Sequence, residues 1–383
     1  MQEQKKGAVS FGAVVATFGA VLIGLGIAWM VALNWSDIPS ALKVLILVGS
    51  TAAAYAAGVV LRTQSYAKIG EALLLLGSIL YILSIQLIAQ IFNLSTSAQS
   101  QANLALLAWV GIGVAAYVFT SPVSLVVTLL EFWQWIITQY MALYTLDYFD
   151  LSMGIVTVIY LLVGIGMYGL TQIHKSTNHP FVPVYRYWTA LYILILTYIL
   201  SFQAFLPMLW PEGFSLSNRG LLFLLVLGIP SIILAMIGIS KATGRQKLSQ
   251  KEVFGFVSLS LLYIVLICLA SLVTSGNSYG FFGGYGQSMS PGFWALWLFD
   301  NALFILVILG VIGYGTRYKS SQIINLGIMF FALDIITRYI GFALDFGGQL
   351  GFAFMSIVGG IILIFGGLFI ERWRRSILRQ MRT

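Results

Sequence analysis

Glu131, Asp300, Asp334 and Arg338 lie inside long apolar stretches, where a charged side chain is costly and is seldom kept without a use. Glu131 is eight residues past Val123, about 12 Å along a helix and well inside a hydrocarbon core of about 30 Å. Ser124, Thr128, Gln134 and Thr138 recur at helical spacings that place them on its face, and Trp133 and Trp135 flank it. Such a stripe is either the lining of a polar cavity, with Glu131 as a proton or cation site beside Gln134, Trp135 and Thr138, or a neutral contact with a neighbouring helix. Asp334 and Arg338 are four residues apart, so they share a face and can pair within one helix, and Thr337 and Gly341 extend that face. Asp300, with Asn301 next to it, stands at a matching depth on the preceding helix and is expected to reach Arg338 as well. An Asp–Arg–Asp group can receive a substrate carboxylate or phosphate, or it can neutralise itself as a buried network.

The elements that must position these groups are membrane helices. Of 383 residues, 60% are hydrophobic and 8% are charged, against about 25% charged in a typical soluble domain, and too few to cover a soluble surface. Twelve apolar runs are long enough to span: Ala8–Leu33, Ala41–Leu61, Ile69–Phe92, Ala102–Phe119, Val123–Tyr144, Leu151–Leu170, Tyr187–Leu206, Gly220–Ser240, Val253–Val273, Phe293–Thr316, Gln322–Phe342 and Leu350–Ile370. The first is too long for a signal-peptide core and is expected to stay as an uncleaved helix. The fourth and fifth runs are separated only by Thr120, Ser121 and Pro122. As one helix they would reach about 64 Å, more than a whole bilayer of about 45 Å, and Ser-Pro is a helix-start signal. The expected architecture is therefore an all-α polytopic bundle of about twelve transmembrane helices, a single domain over 1–383 with a basic tail at 371–383.

Charge placement fits that count. If both termini are cytoplasmic, 17 of the 20 basic residues fall in cytoplasmic segments, and the outer side holds only Lys43 and Arg219. The net charge of +8 thus reads as topology and as contact with anionic lipid at the cytoplasmic face, with no call for nucleic acid. Trp29, Trp35, Trp210, Trp294 and Trp297 fall near outer helix ends, as an aromatic belt would. The first run carries Gly12, Ala16, Ala20, Gly24 and Ala28, a small-residue stripe suited to close helix packing. Glu71 is expected near the inner interface. Cys268 reads as a small packed residue, and His174 and His179 as parts of a solvated loop. No motif asks for a cofactor, a metal or a nucleophile.

Two segments resemble a known family. One runs from Gly19 to Asn93, with a glycine-rich helix ending in Asn34-Trp35, then Ile38-Pro39, then a helix ending Gln90-Ile91-Phe92-Asn93. The other holds Arg338-Tyr339, a Gly359-Gly360 helix, and Glu371-Arg372 leading into Arg374-Arg375. Together they resemble the prokaryotic polytopic membrane proteins known as the domain of unknown function 2157 family. The five helices over 8–144 carry the first of these segments. Members often begin with a cytoplasmic helical segment, from which this chain departs. The resemblance implies a bacterial or archaeal inner membrane and brings no activity. Three readings stay open: a transporter-like protein with a polar cavity, a membrane scaffold or assembly partner, and an intramembrane enzyme acting on a lipid-linked substrate.

Overall fold

The computed structural model describes residues 29, 37–64, 66–94, 96–146, 152–203, 205–210, 217–243, 247–274, 290–345, 357, 360, 372 and 375. Among these, all regular structure is helical. Ten long helices follow one another: α1 Ser40–Thr63, α2 Ala67–Ile91, α3 Ala98–Val118, α4 Pro122–Leu146, α5 Met153–Ser176, α6 Val182–Leu200, α7 Asn218–Thr243, α8 Lys247–Thr274, α9 Pro291–Arg317 and α10 Ser321–Asp345. A single turn, Phe205–Met208, follows α6. Apart from Trp29, Ile357 and Gly360, the first and last expected runs, with the small-residue stripe of the first and most of the basic tail, lie outside the described residues.

Eight of the ten helices are long and apolar enough to cross a membrane. The exceptions are α4 and α6. In both, rings and hydroxyls replace aliphatic side chains: Trp133, Trp135 and Tyr140 in α4; Tyr185, Tyr187, Trp188, Tyr192 and Tyr198 in α6. α6 packs against α5, α9 and α10. A helix walled in by protein needs less hydropathy than one that faces lipid. α8, by contrast, exposes Leu261, Val265, Leu269 and Leu272 along one side, as a lipid-facing helix does. Cys268 lies on α8 and is exposed, not packed as expected.

The Ser-Pro signal at Ser121-Pro122 starts α4. Ser121 Oγ accepts the Ser124 N–H at 3.3 Å, a cap that fills one of the helix's orphan donors. Ser290-Pro291 does the same for α9, with Ser290 Oγ accepting from Phe293 at 3.2 Å. Helix ends use a left-handed residue. Asn93, Thr120, Asn178 and Lys319 have φ near 50° and each directly follows a helix C-terminus. In each case the next N–H turns back onto a carbonyl five residues earlier, for example Ser121 onto Ala116 at 2.9 Å. Asn93, at the end of the family-like Gln90–Asn93 segment, is therefore a helix stop.

The chain divides into two compact units, Met1–Thr138 and Gln139–Thr383. In the first, α1 and α2 form an antiparallel hairpin closed at Gly58 and Gly70, where a Cβ on Gly70 would stand 2.7 Å from the Gly58 carbonyl oxygen. In the second, α5 and α7 run parallel at backbone contact: a Cβ on Gly169 would stand 2.4 Å from the Leu234 oxygen, and one on Gly238 2.5 Å from the Gly169 oxygen. Small residues let membrane helices approach this closely. The core of this unit gathers on α6, α8, α9 and α10, where Leu194, Tyr263, Phe293, Phe304 and Ile324 are fully buried.

Candidate functional site

The first unit has a polar end and a buried acid. At the end, Arg62 closes α1 and Glu71 stands one turn into α2, with Arg62 Nη1 and Glu71 Oε1 3.2 Å apart. Arg62 also donates to the Phe119 carbonyl and, at 3.2 Å, to the Thr120 carbonyl, while Ser121 Oγ donates to Glu71 Oε2 at 2.8 Å. Glu71 does not merely reach an interface, as expected. It joins Arg62 in latching the α1–α2 hairpin to the α3–α4 turn, and it puts that turn at the same end as Arg62, as strictly alternating spans require.

Glu131, one helical turn after Thr128 on α4, is buried, and its Oε1 accepts no hydrogen bond from the described residues. Ser124 and Thr128 are buried on the same stretch, with Ser124 Oγ bonded to Ser78 Oγ at 3.0 Å. The stripe does not continue as a single face: Gln134 is exposed. Thr138 turns its hydroxyl onto its own helix, at 2.9 Å from the Gln134 oxygen and 3.0 Å from that of Trp135. Trp135 stacks parallel on Trp109 with centroids 5.5 Å apart, and Phe132 packs against both. The structure thus brings Glu131 together with Ser124 and Thr128 and separates it from Gln134.

The second unit holds the Arg338 group. Arg338 Nε donates to Asp334 Oδ1 at 3.1 Å, the intrahelical pair its spacing allows. Its Nη2 then reaches across to Ser201, the residue that caps α6, at 2.8 Å from the carbonyl oxygen and 2.7 Å from Oγ. Trp297 Nε1 at 3.0 Å and Asn301 Nδ2 at 3.3 Å donate to that same carbonyl. A helix C-terminus carries partial negative charge and unfilled carbonyls, so three donors, one of them cationic, converge where α6 most needs them. The Arg338 guanidinium also lies 5.0 Å from the Phe202 ring centroid and 5.9 Å from that of Trp297. Ser201 carried no signal of its own in the sequence, and Trp297 read as a belt residue; here it is a hydrogen-bond donor to a buried carbonyl.

Asp300 is the exception in this group. It is completely buried on α9, and neither carboxyl oxygen has a hydrogen-bond partner among the described residues. It stands close enough to feel the charge of Arg338. The arginine's hydrogen bonds nonetheless go to Asp334 and Ser201, leaving Asp300 beside the clamp without a bond to it.

A further cluster was not foreseen. Glu252, at the start of α8, is nearly buried and accepts from Gln172 Nε2 at 3.1 Å and Tyr168 OH at 3.4 Å through Oε1, and from Tyr318 OH through Oε2. Arg317 Nη1 approaches Oε2 at 3.7 Å, and Lys175 Nζ donates to Tyr318 OH at 3.0 Å. The Arg186 guanidinium lies 3.8 Å from the Tyr318 ring centroid. Burial beside Glu252 pushes the Tyr318 phenol up from its ordinary value. The sequence signal was only that Lys175, Arg186 and Arg317 all fall at helix ends expected on one side of the membrane. His174 is buried, its Nδ1 2.8 Å from the Leu170 oxygen and its ring 4.8 Å from that of Tyr185, which replaces the solvated loop expected there. Among the described residues no group of three His, Cys, Asp or Glu side chains is arranged to hold a metal ion.

Residues 1–125 match the family described as "Predicted membrane protein (DUF2157)". The match takes in Asn34-Trp35, Ile38-Pro39 and Gln90–Asn93 and ends before Glu131 and before Arg338-Tyr339. Neither a curated protein nor a solved structure matches the chain.

Proposed function

We propose that this membrane protein is transporter-like and provides a path for protons, which Asp300 and Glu131 carry. The observation behind this reading is the isolation of Asp300: a carboxyl with no exposure, ten residues into a membrane-length helix, whose oxygens accept nothing from the described residues while the adjacent arginine is engaged elsewhere. A purely structural acid in a span finds a partner, because an unpartnered polar group in apolar surroundings costs several kcal/mol by transfer scales, roughly 2–7. Glu131 repeats half of the pattern, with Oε1 buried and accepting nothing from the described residues. The exposed Gln134 and the ring-stacked Trp135 weaken the reading of one open cavity around Glu131, so Asp300 takes the leading role. The setting we propose is a prokaryotic inner membrane, with both termini and the Lys175 end of the bundle on the cytoplasmic side, where anionic lipids lie.

The test is proton flux into proteoliposomes containing the full chain, driven by an imposed membrane potential and read by a lumenal pH dye. Wild-type protein is expected to admit protons faster than empty vesicles, and Asp300→Asn is expected to abolish the excess. Equal rates for wild-type, Asp300→Asn and empty vesicles would remove the proposal.

A further inference from the structure

The Glu252 cluster is out of charge balance. Three cations surround the Tyr318 ring: Arg186 at 3.8 Å, Lys175 at 5.2 Å and Arg317 at 5.6 Å from its centroid. Among the described residues one carboxylate answers them, and it is already occupied. Oε1 of Glu252 takes Gln172 and Tyr168, and Oε2 takes Tyr318 and, more distantly, Arg317. Lys175 is satisfied only by a phenol oxygen, and Arg186 meets the face of a ring and the Tyr314 hydroxyl. Arg186 Nε is buried and accepted by nothing among the described residues. Among the described residues two positive charges are therefore left without a carboxylate inside a few ångströms, where their mutual repulsion is weakly screened.

The position selects the counter-ion. The four contributing helix ends are the C-terminus of α5, the start of α6, the start of α8 and the C-terminus of α9. They lie together at one end of the second unit, where membrane-length helices α5, α8 and α9 begin or end; a bilayer that they span puts its phosphates at such helix ends. Arg317 remains about a third exposed, so the group opens outward. Guanidinium forks match phosphate geometry, and a lysine supplies a point charge beside them.

We infer that Lys175, Arg186 and Arg317 form a binding site for a phosphate group, borne either by an anionic phospholipid head-group or by a soluble phosphate compound. Glu252 and Tyr318 act as positioning residues that gather the three cations around one ring. The site does not depend on Asp300 or on proton movement.

The test uses the full chain in detergent and in nanodiscs. Native mass spectrometry after incubation with phosphatidylglycerol or phosphatidylcholine counts retained lipid, and thermal unfolding with inorganic phosphate reports the soluble arm. Retention of phosphatidylglycerol over phosphatidylcholine, weakened at least about tenfold in Arg186→Gln/Arg317→Gln, supports the site with a lipid as its source. A phosphate-dependent rise in unfolding temperature that the same double variant loses supports the site with a soluble phosphate as its source. Arg186→Lys/Arg317→Lys keeps the charges and is expected to restore part of the binding, which separates loss of the site from a damaged fold. If wild-type protein prefers neither ligand, or if Gln and Lys double variants bind as well as wild type, the inference is overturned.

Discussion

Two arginines in this molecule do the same job in different company. Arg62, held by Glu71, reaches the carbonyls that end α3; Arg338, held by Asp334, reaches the Ser201 carbonyl that ends α6. Each neutralises a helix C-terminus with a cation that is itself steadied by one acid, a combination favoured by the helix dipole and by the need to fill the last carbonyls. At Arg62 nothing is left over: both carboxyl oxygens of Glu71 have a donor. At Arg338 a second acid, Asp300, sits by the clamp and takes no part in it. Capping explains Asp334 and does not explain Asp300. The surplus carboxyl is what separates a structural latch from a place where something else happens.

That contrast can be broken by substitution. The largest expected effect is functional: Asp300→Asn reduces proton flux in proteoliposomes by about a hundredfold or more while leaving thermal unfolding in detergent unchanged or slightly later, since an amide there loses no hydrogen bond. Arg338→Ala and Arg62→Ala should each lower stability by about 1–3 kcal/mol, because a helix-end carbonyl and a carboxylate lose their donor together. Matching losses in denaturant titrations would support a shared capping role; a loss confined to one would separate them. Glu71→Gln should cost less than either, about 1 kcal/mol, as the amide keeps the Ser121 bond and loses the ion pair.

Two further effects test the frame around the sites. Gly169→Ala sets a methyl against the Leu234 backbone, where α5 and α7 cannot part without unpacking, and should cost about 1–3 kcal/mol. Thr120→Gly should stabilise by about 1 kcal/mol: a β-branched residue at φ 49° is strained, and its carbonyl, which is what Arg62 uses, survives the change. Unfolding midpoints measured side by side would check both signs.

Much of the frame was legible because it is local. Ser121-Pro122 announces a helix start, and the break it makes keeps the charge pattern consistent; Arg62 meeting the α3–α4 turn is the spatial result. Asp334 and Arg338 pair because four residues is one helical turn. Long-range choices leave no such mark. Nothing in the residues around Ser201 signals that its carbonyl collects three donors, and Lys175 meets Tyr318 across 143 residues of chain. Gly169 and Gly238 are ordinary members of apolar runs until the parallel packing of α5 and α7 brings their backbones together. The polar stripe on α4 failed to hold as one face because Thr128 and Gln134 lie about 60° to either side of Glu131, and the helix buries the Thr128 side and leaves Gln134 at the exposed edge.

The most direct measurement is infrared spectroscopy of the reconstituted protein, following the carboxylic-acid C=O stretch on transfer to heavy water. The account predicts a band that shifts as its proton exchanges and that disappears in Asp300→Asn while persisting in Asp334→Asn. A band that never exchanges, or the absence of any band that Asp300→Asn removes, would contradict it and leave Asp300 as a sealed structural residue.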